Sequence, residues 1–225
     1  MHKQACLLTA VLFLTACATD DPEKGAKTGA ALGALGGAVV GHQLDDDKGR
    51  FIGAAVGAVA GALIGKFMDA QQQTLQEALQ QEQQDNVLEI ERLDDDSLKL
   101  YLQNEVSFEF DSAEVKAGFE PVLEKLAQVL VDYPQTVAHI IGFSDNAGAS
   151  VYNRLLSERR AQSIAQVFRN QGVDAARIRT EGYGELQPRA SNETEAGRQR
   201  NRRVEIFVKP IVQGKEQMAY ELPRY

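Results

Sequence analysis

The chain has 225 residues, with 32 acidic against 24 basic side chains and a formal charge of −8. That balance argues against nucleic acid as a partner, because a phosphate backbone asks for a basic surface. With 2 cysteines and 3 histidines, no His, Cys and carboxylate cluster recurs at metal-ligand or triad spacing, so neither a metal site nor a catalytic constellation is expected.

The chain opens on a short basic stretch, Met1-His2-Lys3, followed by an apolar run from Ala5 to Ala16. That layout is the n-region and h-region of a secretory signal, and the run is too short for a comfortable membrane span. It ends at Leu14-Thr15-Ala16-Cys17, which resembles the bacterial lipobox, in which the cysteine is lipidated. The alternative is an ordinary signal peptide with an incidental Cys17. On the lipoprotein reading residues 1–16 are removed and Cys17 carries acyl chains, which together hold a membrane durably. Cys6 leaves with the signal, so no thiol remains for a disulfide or a metal. The loss of Lys3 moves the formal charge from −8 to −9. Ala18 stands where many enterobacterial lipoproteins of the inner membrane carry Asp. That resemblance favours the outer membrane, facing the periplasm of a Gram-negative bacterium, although Asp20 and Asp21 weaken it.

After a linker, residues 17–24, glycines recur every fourth position: Gly25, Gly29, Gly33, Gly37 and Gly41, then Gly49, Gly53, Gly57, Gly61 and Gly65. The two halves form an internal repeat around a polar loop that holds His42. Spacing by four aligns each set along one helix face. Glycine is a poor helix former in water, so the pattern makes sense where two backbones approach closely. A helical hairpin over residues 25–68 is therefore expected, in or on the membrane or self-associated. A flexible Gly/Ala linker is the competing reading. Each apolar run, of about 15–18 residues, is marginal for spanning. The repeat resembles the glycine-zipper region of some Gram-negative outer-membrane lipoproteins.

Residues 69–96 read as a Gln-rich helical stalk or a spacer, with Leu75, Ala78 and Leu79 at helical spacing. Asp94-Asp95-Asp96 marks the expected boundary of a domain over residues 97–210. Leu98, Leu100 and Leu102 alternate as in a half-buried strand, and Phe108-Glu109-Phe110 continues the alternation. Asp111-Ser112-Ala113-Glu114 has the form of a capping box, with a helix from Val115 to Leu130 ended by Pro134. Thr136–Ile141 reads as a strand, Asn153–Asn170 as a long helix capped at Gly172, and Ile178–Tyr183 and Val204–Val208 as further strands. This alternation predicts an α/β fold, a small mixed sheet packed with helices. His139 reads as a tolerated sheet residue. Residues 211–225 form a polar tail, and Gly214–Tyr225 is expected to be mobile.

Residues Gly142 to Ala161 carry the chemistry. Asp145 closes a strand, and Arg160 follows in a helix. At about 100° per residue from Leu156, Arg160 falls near 40°, inside the apolar stripe, whereas Arg159 falls near 300°, outside it. Arg160 is thus a charge on the buried face and needs a partner. Two arrangements are open. An internal Asp145–Arg160 salt bridge would fix the loop. An open pair would hold a zwitterionic ligand, with Arg160 on a carboxylate and Asp145 on an ammonium.

The motifs here resemble the OmpA-like C-terminal domain, with its βαβαββ order. Val106 to Ala113 look like its opening, Gly142-Phe143-Ser144-Asp145-Asn146-Ala147-Gly148 resembles its G-x-T-D-x-x-G turn, and Asn153 to Ala161 match N-x-x-L-S-x-x-R-A. Gly197-Arg198 and Asn201 to Ile206 match its final motif. The likeness covers roughly residues 98–209 in order. It implies non-covalent binding of peptidoglycan through the free end of meso-diaminopimelate. Asp145 would take the ammonium and Arg160 the carboxylate, with Asn153 and Arg202 as supporting contacts and Ser144 bonding through its backbone or hydroxyl. Two departures stand out: Phe143 where many members have His or Tyr, and Ser144 for the commoner Thr. The resemblance implies a binding protein rather than an enzyme, tethering the outer membrane to the cell wall, with no cofactor. The alternative is a self-assembling glycine-zipper membrane module or an envelope-assembly interaction protein.

Overall fold

The computed structural model describes residues 58–109 and 111–223. The signal, Cys17 and the glycine repeat up to Gly57 lie outside the described residues. A 3-10 turn, Gly61–Leu63, leads into α1 (Ile64–Ala78) and the short α2 (Gln80–Gln84). The hairpin β1 (Leu88–Arg92) and β2 (Leu98–Gln103) follows, then α3 (Asn104–Ser107), α4 (Glu120–Asp132), β3 (Thr136–Phe143) and α5 (Ser150–Asn170). The chain ends with β4 (Ile178–Gly184), α6 (Glu195–Asn201), β5 (Arg203–Pro210) and α7 (Glu216–Tyr220). The sheet order is β1-β2-β5-β3-β4, antiparallel except for the β3–β4 pair, which α5 connects. Mixed strands with helices stacked on them are the α/β architecture that the alternating pattern predicts.

The period-2 pattern sorts the side chains. Leu98, Leu100, Leu102, Ala138, Ile140, Val204, Ile206 and Val208 join one large core with Leu123, Leu126 and Leu130 of α4 and Ile164 and Phe168 of α5. Every residue of the interior strand β3 is buried, as expected for a strand covered on both faces. On the far face, Ile141, Phe143 and Phe207 form a small cluster, and Val137 packs with Ile211 and Ala219.

Four expectations change. The stalk is not free: Met68, Leu75 and Leu79 lie in the main core, because an apolar stripe of that spacing must bury itself. Thr74 bonds Tyr133, and Gln71 donates to Thr136, from the same helix. The boundary at Asp94–Asp96 is the turn of the β1–β2 hairpin, where Arg92 donates to Asp96 at 2.7 Å and Asp96 adopts a φ of +64°. The Asp111 capping box does not form. Asp111 has a φ of +51°, α4 starts only at Glu120 with Pro121 in its first turn, and Phe108 makes a lone bridge to Val115 instead of extending a strand. The C-terminal tail is docked through α7, and Ala219 is buried.

His139 explains that docking. It is buried, its Nε2 lies 2.7 Å from the Ala219 carbonyl, and Nδ1 has no partner. The pair requires a ring in which Nε2–H donates to the carbonyl. Burial pulls the His139 pKa down to about 4. An unfolded histidine near 6.5 binds a proton that the folded one refuses, so stability is fully present above about 6.5 and is lost as pH falls toward 4. The loss is of order 3 kcal/mol. Urea titrations between those pH values are expected to show this slope in the wild type and a shallower one in His139→Gln, which keeps a donor for Ala219.

The helix α5 sits unusually close to the sheet. A Cβ on Gly142 would lie 2.0 Å from the Ser157 carbonyl oxygen, and one on Gly182 would lie 2.6 Å from that of Arg154. Both obstacles are backbone, which cannot swing aside. Gly142→Ala is expected to cost about 3 kcal/mol in denaturant unfolding, by forcing the helix outward.

Candidate functional site

The site lies where β3 ends and α5 begins. There the β3–β4 register shifts, Phe143 facing Gly184 instead of Tyr183. Such a bulge re-aims the chain beyond the ladder. The Ser144 N–H donates to the Gly184 carbonyl at 2.7 Å, and its hydroxyl donates to the Asp145 carbonyl at 2.8 Å. Asp145 Oδ1 accepts from the Ala147 N–H at 3.0 Å. The Asn153 amide donates to the carbonyls of Asp145 (3.3 Å) and Ala147 (2.9 Å). Ser144 and Asn153 therefore hold the loop that presents the Asp145 carboxylate.

Asp145 and Arg160 form no salt bridge. Asp145 Oδ2 instead accepts from Arg202 Nη1 at 2.6 Å, a contact that helical geometry on α5 alone could not reveal. Arg160 is buried while Arg159 is exposed, as the helical angles require. The Arg160 Nε donates to the Ser112 carbonyl at 2.8 Å, and its guanidinium lies 5.4 Å from the Phe108 ring centroid. Among the described residues it has no carboxylate within ion-pair distance, and its Nη groups have no protein acceptor. Burial lowers the Arg160 pKa, while Asp111, Tyr152 and Asp145 act in the opposite direction. It remains a cation at neutral pH.

Arg202 is the most heavily paired charge of the site. Its Nη2 donates to Glu105 and, at 2.8 Å, to Glu195. Partial burial acts to lower its pKa, but its hydrogen bonds to Glu105, Asp145 and Glu195 outweigh that and hold it above its ordinary value. Sequence reasoning missed both glutamates. Glu195, Arg198 and Arg202 are spaced by three and four, a readable helical signal. Glu105 comes from a distant element with no local signal.

Phe143 is fully buried on the far side of β3. The Arg203 guanidinium lies 3.8 Å from its ring centroid, and Tyr183 meets it edge-on at 5.5 Å. Its departure from His or Tyr therefore affects the far-face cluster and not the Asp145 loop. Among the described residues there is no group of metal-ligating side chains.

The five-stranded mixed sheet packed with helices is the fold of an OmpA-like domain. Residues 107–202 match the OmpA family, and residues 1–69 match the YMGG-like Gly-zipper. The protein named Probable lipoprotein YiaD, from Escherichia coli (strain K12), is 43% identical over 116 residues, 52% of this chain and 53% of that one. Outer-membrane lipoprotein YfiB from Pseudomonas aeruginosa is 46% identical over 86 residues, 38% of this chain and 51% of its own. The solved cell wall anchor of the T6SS from Pseudomonas aeruginosa is 30% identical with a TM-score of 0.55, covering 60% of this chain and 96% of that chain. The chain carries an OmpA-family domain over residues 107–202. It spans about half the length of the two curated relatives.

Proposed function

We propose that this chain binds peptidoglycan non-covalently and tethers the outer membrane to the cell wall. The observation that carries the reading is Arg160: a buried guanidinium whose Nη donors have no protein acceptor among the described residues, beside a loop that presents Asp145. A buried charge without a counter-charge is costly unless a ligand supplies one. The free end of meso-diaminopimelate carries a carboxylate and an ammonium on one carbon. Arg160 takes the carboxylate through its planar donor fork, and Asp145 takes the ammonium. Arg202 supports Asp145, and Ser144 and Asn153 keep the loop in shape. The protein acts by binding and not by turnover.

The topology supports a tether. The chain enters the domain at Val59, whose N–H donates to the Ile211 carbonyl at 2.8 Å, beyond the end of β5 and beside the start of β3. The Asp145 loop lies at the other end of β3. Eight strand residues separate the two ends, roughly 25 Å. A lipid on Cys17 would thus pull on one end of the sheet while the wall is gripped at the other. Among the described residues no helix is long and apolar enough to cross a membrane.

Purified sacculi are expected to retain the wild type and Arg159→Ala, and to lose Asp145→Ala and Arg160→Ala by at least about tenfold, as expected for a lost charged contact. Circular dichroism checks that the variants are folded. Equal retention of all four would end this reading. The YMGG-like match over residues 1–69 favours a second activity, self-association through the glycine repeat. Cross-linking is expected to trap oligomers in the wild type and not in Gly57→Leu, with sacculus binding unchanged.

A further inference from the structure

Asp145 presents a problem for a ligand ammonium. Its carboxylate already faces Arg202 at 2.6 Å, and a carboxylate neutralised by a guanidinium attracts a second cation weakly. The surroundings answer this. Arg202 also meets Glu105 and Glu195, so its single positive charge is divided among three carboxylates. These come from three separate elements: α3, the β3–α5 loop and the start of α6.

The two glutamates are themselves held in place. Glu195 Oε2 accepts from Arg198 at 2.6 Å, Glu105 Oε2 accepts from the Gln199 amide at 2.6 Å, and the Glu105 carbonyl accepts from Lys116 Nζ at 2.7 Å. Counting the carboxylates of Asp145, Glu105 and Glu195 against the guanidiniums of Arg202 and Arg198 leaves one negative charge in excess. Arg160 lies outside this network, on the carbonyl of Ser112.

We infer that Glu105 and Glu195 are specificity-determining positioning residues: they draw charge from Arg202 so that Asp145 stays anionic enough to select a ligand carrying an ammonium. They do not touch the ligand. The inference rests on the reading that Asp145 receives the ammonium of a diaminopimelate end. It adds the requirement that discrimination for that ammonium comes from carboxylates outside the Asp145 loop.

The test is calorimetric titration of the full chain in detergent with two probes, meso-diaminopimelate and pimelate, the dicarboxylate that lacks both ammonium groups. The wild type is expected to prefer meso-diaminopimelate. Glu105→Gln combined with Glu195→Gln is expected to weaken meso-diaminopimelate by about five- to tenfold, in line with the modest strength of exposed charges at low salt. Pimelate binding should change by no more than about twofold, so the preference collapses while the thermal midpoint holds. A purely structural role would weaken both probes together, and that result overturns the inference. An unchanged preference in the double variant, with meso-diaminopimelate still bound, overturns it while leaving the clamp intact. A wild type without any preference overturns both. Should the double variant fail to fold, the single Glu195→Gln variant, altered only at an exposed helix start, is expected to show a smaller loss of preference in the same direction. No loss in that variant overturns the inference.

Discussion

The close contact between α5 and the β3–β4 pair governs this domain. Gly142 and Gly182 lack the Cβ atoms that would hold the helix backbone away from the strands. The Ser157 hydroxyl then donates to the Arg154 carbonyl and accepts from the Gly184 N–H at 3.0 Å. With the helix pinned at this depth, Arg160, one turn further on, is carried against Phe108 and Ser112. A bulkier residue at either glycine would lift Arg160 away from the loop that it serves. Packing and function therefore share one constraint.

The second organising feature is the unequal treatment of three arginines. Arg159 is exposed on the helix surface. Arg160 is buried with a carbonyl and a ring for company, partners that orient a guanidinium without neutralising it. Arg202 is surrounded by carboxylates. Of the three, only Arg160 is buried without a carboxylate at ion-pair distance among the described residues. The neighbouring Arg203 points to the opposite face of the sheet, where it meets Phe143 and bonds Glu205 at 2.6 Å. Arg202 caps α6 and Arg203 begins β5, so two adjacent arginines lie in unrelated environments.

Both ends of the described chain are folded onto the sheet. Helix α1 closes the main core, while Ala58 and α7 pack on the far face, fastened through His139 and the Val59–Ile211 backbone bond. The Gln-rich composition around residues 71–84 hid the first of these, because polar residues outnumber the apolar ones that do the packing. Leu88 and Ile90 alternate as a strand should, yet the acidic run after them reads as a boundary and not as a hairpin turn. In each case a local composition signal competed with a partner that lies far along the chain.

Sequence periodicity alone indicated β2 to β5 and the helices α4 and α5, which arginine of the 159–160 pair faces inward, and where the acid and the base sit relative to a strand end and a helix. Those properties follow from local geometry, a 3.6-residue or 2-residue repeat, and need no knowledge of distant residues. Tertiary structure decided the partnerships. It gave Asp145 to Arg202, 57 residues away, and brought Glu105 to Arg202 across 97 residues. It also left Arg160 without a carboxylate at ion-pair distance among the described residues and assigned Ser144 and Asn153 to holding the loop. Ion pairs between separate elements depend on how the whole sheet is ordered. No local pattern encodes that order, so the electrostatics of the site became visible only once the chain was folded.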